Sequence, residues 1–292
     1  MSDRRKVTVR HVRARKGGEK LVMVTAYDAP TASIVSEAGA DLILVGDSVA
    51  NVVLGHESTQ AVDVDVMVHH TAAVARARPH SLVVADLPWM SYHVSQQDTV
   101  HNAGRLIREG GAEAVKLEGG VKRLPMIRAI LDAEIPVMGH LGLTPQSVLS
   151  MGYAVQGRQA DQARRLVEEA RILDEAGVFA IVLEGVPAAV AAAVTDAVSC
   201  PTIGIGAGDA TDGQVLVFHD ATGLHDGHYP KFARRFADLR SAAVEALGTF
   251  ASEVRSGAFP SDDETYHMSD EERDAFLATN EAGADFVPSP WA

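Results

Sequence analysis

The chain has 292 residues, with 39 acidic against 26 basic side chains and a formal charge of −13, which tells against an extended nucleic-acid surface and suits a soluble protein. Apolar residues make up 47% and aromatics only 5%, with 25 Gly, a balance that fits helices packed on a small-residue sheet around a sizeable core. The single Cys200 permits no internal disulfide, the first 20 residues hold no apolar signal core, and no run reaches the ~20 apolar residues of a membrane span, so a cytoplasmic location is expected.

In chain order, short β-branched runs predict strands at 21–26 (LVMVTA), 41–46 (DLILVG), 82–87 (LVVADL), 114–118 (AVKLE), 136–141 (PVMGHL), 179–185 (FAIVLEG), 201–208 (PTIGIGAG) and 214–220 (QVLVFHD). Between them lie stretches such as QDTVHNAGRLIREGGA and ADQARRLVEEARILDEAGV, with apolar residues at three- and four-residue spacing and glycine at the end, the marks of amphipathic helices. Eight near-continuous apolar strands joined by helices predict a closed parallel (β/α)8 TIM barrel over 21–257, because such strands are covered on both faces. An open doubly wound sheet is the alternative, but no Gly-x-Gly-x-x-Gly follows the first strand. Residues 1–20 are expected to cover the barrel bottom. Residues 258–292 form an acidic tail, in which Ser269 and Glu272 offer a capping box for a short helix.

In a barrel the C-terminal strand ends share one face, where active sites are built. Here those ends supply Asp47 and Ser48, Asp86, Lys116 and Glu118, His140, Glu184, the glycines 204, 206 and 208, and His219 with Asp220. Each has an ordinary structural use, such as a helix cap for Asp47 or Asp86. Together they are harder to dismiss, because several carboxylates in one pocket repel unless a cation or protons offset them. Two Asp with a nearby Glu, and no Cys/His pair at zinc spacing, point to a hard divalent cation such as Mg²⁺. The GIGAG glycines suit either an anion cradle or a close backbone approach.

The segments TAYDAPTASIVSEAGADLILVGDSVANVVLGHEST, VVADLPWMSY, AVKLEGG, VMGHLGLTPQSV, YAVQGR, IVLEGVP, TIGIGAGDATDGQVLVFHD and PKFARRF resemble, in order and spacing, the ketopantoate hydroxymethyltransferase family. The resemblance spans about Val22 to Pro260 and implies a barrel of the phosphoenolpyruvate mutase/isocitrate lyase-like superfamily. It further implies transfer of a hydroxymethyl group from 5,10-methylenetetrahydrofolate to 3-methyl-2-oxobutanoate, giving 2-dehydropantoate for pantothenate and coenzyme A biosynthesis, through an enolate stabilised by Mg²⁺. Carried over by residue, it puts the metal ligands on Asp47 and Asp86 with Glu118 near, substrate binding on Asp47, Ser48, Asp86, Lys116 and His140, and the catalytic base on Glu184. A homo-oligomer, typically a decamer, comes with the same resemblance. Two departures are Gly185, where many members carry Cys, and the tail beyond about His267.

Three other readings stand beside it. A Schiff-base aldolase would use Lys116 without a metal. Another Mg²⁺-dependent 2-oxo acid lyase of the same barrel superfamily usually carries a Lys-Lys-Cys-Gly-His loop, which this chain lacks. A non-enzymatic binding protein would leave the clustered carboxylates unexplained.

Overall fold

The computed structural model describes residues 5–152, 155–227 and 229–281. A short helix α1 (Val9–Arg13) precedes β1 (Leu21–Thr25), α2 (Ala29–Glu37) and β2 (Leu42–Val45). Next come α3 (Val49–Val52), α4 (Val64–Arg76), β3 (Leu82–Asp86), α5 (Gln96–Arg108), β4 (Ala114–Glu118) and α6 (Leu124–Asp132). The second half runs β5 (Val137–Gly142), α7 (Val148–Met151), α8 (Ala160–Ala176), β6 (Ala180–Glu184), α9 (Ala188–Ala197), β7 (Thr202–Ile205), β8 (Gly213–Leu216) and α10 (Phe218–Thr222). All eight strands are parallel, and β8 pairs with β1 to close the expected (β/α)8 barrel.

Local chemistry sets the helix limits. Asp28 caps α2 by accepting from the Thr31 N–H at 2.8 Å, with Pro30 in the first turn, and Ser95 caps α5 by accepting from the Asp98 N–H at 3.0 Å. Helix α8 stops where Gly177 turns left-handed.

Alternation along each strand separates two apolar layers. Ile43, Val83, Val115 and Ile181 face the helices, whereas Leu42, Leu44, Leu82, Val84, Ala114, Met138 and Val182 fill the barrel interior. Val12 of α1 joins that interior cluster with no exposure, and Val7 and Val9 pack against it. Such a burial is worth roughly 1.5–3 kcal/mol per side chain. The segment is pinned further by Asp212, whose carboxylate accepts from Gly17 N–H at 2.8 Å, Lys16 Nζ at 3.1 Å and Thr202 N–H at 2.8 Å.

Two strand expectations shift. The run at 214–220 divides into β8 and α10, because the Phe218 N–H donates to Thr25 Oγ1 at 3.0 Å instead of continuing the ladder. His219 and Asp220 therefore stand on a helical turn. The run at 201–208 is strand only over β7. Beyond it Gly206 and Gly208 take φ of +62° and +78°, and a Cβ would lie 2.8 Å from the Phe232 ring or 2.6 Å from Ala188 Cβ. Close backbone packing accounts for these glycines.

The chain forms two compact units, Met1–Asp238 and Leu239–Ala292. The barrel closes within the first, so α11 (Leu239–Ser256), inside the span expected for the barrel, groups instead with the tail that follows. In that second unit α12 (Asp270–Glu281) is capped by Ser269, which accepts from the Glu272 N–H at 3.3 Å. The tail beyond residue 281 lies outside the described residues. Among the described residues no helix is long and apolar enough to cross a membrane.

Burial pushes the Asp212 carboxyl up, but the donors from Thr202, Gly17 and Lys16 outweigh it and hold the group below the ordinary carboxylate range. A depressed folded-state value means that this stabilisation is present above the unfolded pKa and is lost as pH falls through the folded one. Asp212→Asn is expected to cost about 1–3 kcal/mol near neutral pH. Urea titrations of the two proteins should differ most at neutral pH and converge below about pH 4.

Candidate active site

Strand parity decides which side chains enter the barrel. On β3, Leu82 and Val84 point inward, so Asp86 does too; the same count on β4, β5 and β6 turns Lys116, Glu118, His140 and Glu184 into the interior. Register then makes neighbours of them, pairing Asp86 with Lys116 and Glu118 with His140 across adjacent strands. Asp47 and Ser48 follow β2 at the same end. All seven line one cavity of about 600 Å³, which Asp220, His225 and Phe232 help to wall.

The charges are close and almost dry. Lys116 Nζ lies 3.0 Å from Asp86 Oδ1, with both side chains at most 4% exposed. Asp86 Oδ2 accepts from the Asp47 N–H at 3.1 Å. His140 bridges two carboxylates, its Nδ1 3.5 Å from Glu118 Oε1 and its Nε2 3.4 Å from Glu184 Oε2. Burial and the charge of Lys116, whose Nζ is 3.3 Å from Nδ1, both work against a proton on His140; the carboxylates of Glu118 and Glu184 prevail and lift it to about 9. Burial also raises Glu118, yet His140 and Lys116 outweigh it and hold that carboxyl below its usual value. Asp47 goes the other way, pushed up by burial and by the charges of Asp86 and Glu118. Asp86 is likewise raised by burial, against the pull of Lys116.

Loops beyond the strand ends complete the site, and inspection of strand ends alone missed them. Gln146, after β5, is 3% exposed. Its Nε2 donates to Asp47 Oδ2 at 2.8 Å and to the Leu87 carbonyl at 3.0 Å, its Oε1 accepts from Tyr92 OH at 2.6 Å, and its N–H donates to Glu118 Oε2 at 3.0 Å. Tyr27 OH and Ser48 Oγ share a hydrogen bond of 2.8 Å. The signal for Gln146 and Tyr27 was their presence in the HLGLTPQSV and TAYDAP segments; nothing in their spacing aimed them inward. His219 packs between Tyr27 and Phe218, with ring centroids 5.7 and 5.8 Å away, whereas Asp220 reaches the cavity wall and holds His225 Nε2 at 2.6 Å.

A family model described as ketopantoate hydroxymethyltransferase matches residues 6–262. The chain belongs to this family. It is 51% identical to the 3-methyl-2-oxobutanoate hydroxymethyltransferase of Oleidesulfovibrio alaskensis over 285 residues, 97% of this chain and 98% of that one. The Moorella thermoacetica enzyme of the same name is 54% identical over 268 residues, covering 91% and 100%. Among solved structures, 2,3-dimethylmalate lyase, a PEP mutase/isocitrate lyase superfamily member, aligns with a TM-score of 0.56 at 17% identity over 94% of this chain and 96% of that one. At that identity the likeness is one of fold.

For the ketopantoate hydroxymethyltransferase family a divalent cation was expected at Asp47 and Asp86, and the donor set suits one. Asp86 Oδ1 is buried and, despite its ion-pair contact with Lys116, has no aligned hydrogen-bond donor. Mg²⁺ commonly takes one or two protein carboxylates and completes its shell with water and substrate oxygens. Among the described residues no three His, Cys, Asp or Glu side chains converge as a cage. Glu118, expected near the metal, has its oxygens turned to His140 and the Gln146 N–H. Of the family segment YAVQGR, Tyr153 and Ala154 lie outside the described residues.

Were Asp47 to hold the expected cation, Gln146 would act through it as a positioning residue. Gln146→Ala should weaken Mg²⁺ binding by roughly 10–100-fold, the usual penalty for losing a group that orients a metal-facing carboxylate. Isothermal titration with Mg²⁺ reads this directly, and an unchanged affinity would remove Gln146 from that role.

Proposed function

We propose that this chain transfers the one-carbon unit of 5,10-methylenetetrahydrofolate to C3 of 3-methyl-2-oxobutanoate as a hydroxymethyl group, with water supplying the hydroxyl oxygen and tetrahydrofolate leaving, to give 2-dehydropantoate for pantothenate and coenzyme A biosynthesis. The observation that carries the reading is the convergence of Asp47, Asp86, Lys116, His140 and Glu184 in one cavity of a chain that belongs to this family. A cytoplasmic location goes with it.

The chemical demand is removal of a proton from a carbon beside a carbonyl, while negative charge grows on the keto oxygen. Lys116, a buried cation, offers positive charge to the anionic substrate, and Ser48 offers a hydroxyl already oriented by Tyr27. A Mg²⁺ held by Asp47 and Asp86 would supply Lewis-acid stabilisation of the developing charge. Glu184 is the acceptor for the C3 proton. Its side chain, 16% exposed, is open to the cavity, and His140 Nε2 lies 3.4 Å from one of its oxygens. Val182, Ile205, Val215 and Phe232 give the same cavity an apolar wall suited to the substrate's branched carbon end.

Proton removal is separable from carbon–carbon bond formation by omitting the folate and following exchange of the C3 hydrogen of 3-methyl-2-oxobutanoate in deuterated water. Glu184→Gln should slow exchange by roughly 10²–10⁴-fold, the loss expected for a positioned base, with oxo acid binding retained. Survival of exchange in Glu184→Gln, with its loss in His140→Gln or Lys116→Ala, would transfer the role.

The reading includes a homo-oligomer, a decamer by resemblance. Support comes from α11, where Val244, Leu247, Phe250 and Val254 recur at three- and four-residue spacing and are 58, 67, 50 and 47% exposed. An apolar row of this kind is a surface that another copy would cover. Leu247→Glu combined with Phe250→Glu should shift the sedimentation profile to smaller species. An unchanged profile would separate α11 from assembly.

A further inference from the structure

Beside the main cavity lies a second one of about 340 Å³, and Glu118 lines both. It runs past Gly119, Gly120 and Thr144 and is bordered by Lys122, Arg123 and Arg165. Lys122 and Arg123 follow β4 on a short 3-10 turn, Val121–Arg123, while Arg165 projects from α8, so two separate elements bring three cations to one cleft. Among the described residues none of the three lies within ion-pair distance of a carboxylate, although the chain carries 39 acidic residues against 26 basic ones. This cleft is thus locally basic on an acidic protein.

Two features mark the cleft as shaped. The Arg123 guanidinium sits 5.6 Å over the ring of Tyr92, the residue whose hydroxyl holds Gln146, so this cation is packed in place. Gly120 leaves space that a Cβ would take, since it would lie 2.5 Å from the Glu169 carboxyl carbon. Glu169 is the one acid of the cleft besides Glu118; burial raises its carboxyl against a hydrogen bond from the Val121 backbone, so it is tied to the turn and pairs with none of the three cations.

The geometry points to this cleft as the subsite for a polycarboxylate arm of the one-carbon donor, held by Lys122, Arg123 and Arg165 while the reacting end occupies the main cavity. The inference rests on the proposed reaction. A folate carrier ends in glutamate, and each added glutamate adds one carboxylate, so its tail is a ligand of graded negative charge. Exposed guanidinium and ammonium groups steer and retain such a ligand without desolvating it fully, and their effect falls with salt.

The test is steady-state kinetics of wild type and the double variant Lys122→Gln/Arg165→Gln, using methylenetetrahydrofolate with one glutamate and with five. Both substituted side chains are exposed, and Arg123 is left in place to keep Tyr92 packed. For the five-glutamate donor KM should rise roughly 5–30-fold, as expected for two solvent-exposed charges acting on several carboxylates. For the one-glutamate donor it should rise less. The wild-type preference for the longer tail should fade with added salt, and KM for the oxo acid and the folate-free C3 exchange rate should not change. An unchanged KM for the five-glutamate donor beside intact transfer overturns the cleft proposal alone, as does an equal rise for both donors. Citrate serves as a free polycarboxylate: if it alters the wild-type rate with the one-glutamate donor, and the variant loses that response while keeping its five-glutamate KM, the cleft is an effector site and the proposal fails. Wild-type protein that transfers nothing from either donor overturns the proposed reaction and the subsite with it.

Discussion

The ion pair of Lys116 with Asp86 is the contact on which the barrel mouth depends. Two adjacent strands place an ammonium and a carboxylate 3.0 Å apart, with almost no water to share. Removing either partner would leave an uncompensated charge in the barrel, a change that costs several kcal/mol in comparable sites. The same economy of charge extends outward. His140 is pushed up because Glu118 and Glu184 flank it, and Asp47 is raised by its burial and by the like charges of Asp86 and Glu118.

Around this cluster the polar loops act as struts. Gln146 uses its side-chain amide and its backbone N–H to touch Asp47, Leu87, Tyr92 and Glu118, and so ties the loops after β2, β3 and β5 to the end of β4. An amide paired on both its nitrogen and its oxygen favours one arrangement of the groups it touches, because a slip would leave its own buried polar atoms unpaired. The opposite end of the barrel is organised differently. There Val12 plugs the interior and Asp212 gathers donors from Lys16, Gly17 and Thr202, which serves stability and leaves the C-terminal end free for chemistry.

Much of this was legible in the residues. Near-continuous β-branched runs, helices with apolar residues at three- and four-residue spacing and glycine stops identified eight βα units, and closure followed from strands apolar on both faces. Strand ends then pointed to Asp86, Lys116, Glu118, His140 and Glu184. The errors have physical causes. The run QVLVFHD is apolar enough for a strand, but Thr25, 193 residues earlier, captures the Phe218 N–H and turns the chain into α10. For the glycines at 206 and 208 the sequence left an anion cradle and a close backbone approach both open, and Phe232 and Ala188, which occupy the space beside them, decide for the second.

What the sequence determined by itself was the kind of fold, the face that bears the site and the family, since each rests on local pattern or on residues read in order. What only the tertiary structure decided was which of those residues touch. Register set Asp86 against Lys116 and Glu118 against His140, loop folding brought Gln146 and Tyr27 to the cluster, and α8 delivered Arg165 to the cleft of Lys122 and Arg123. These contacts join residues far apart in the chain. Their geometry comes from barrel closure and side-chain packing, which no local periodicity encodes.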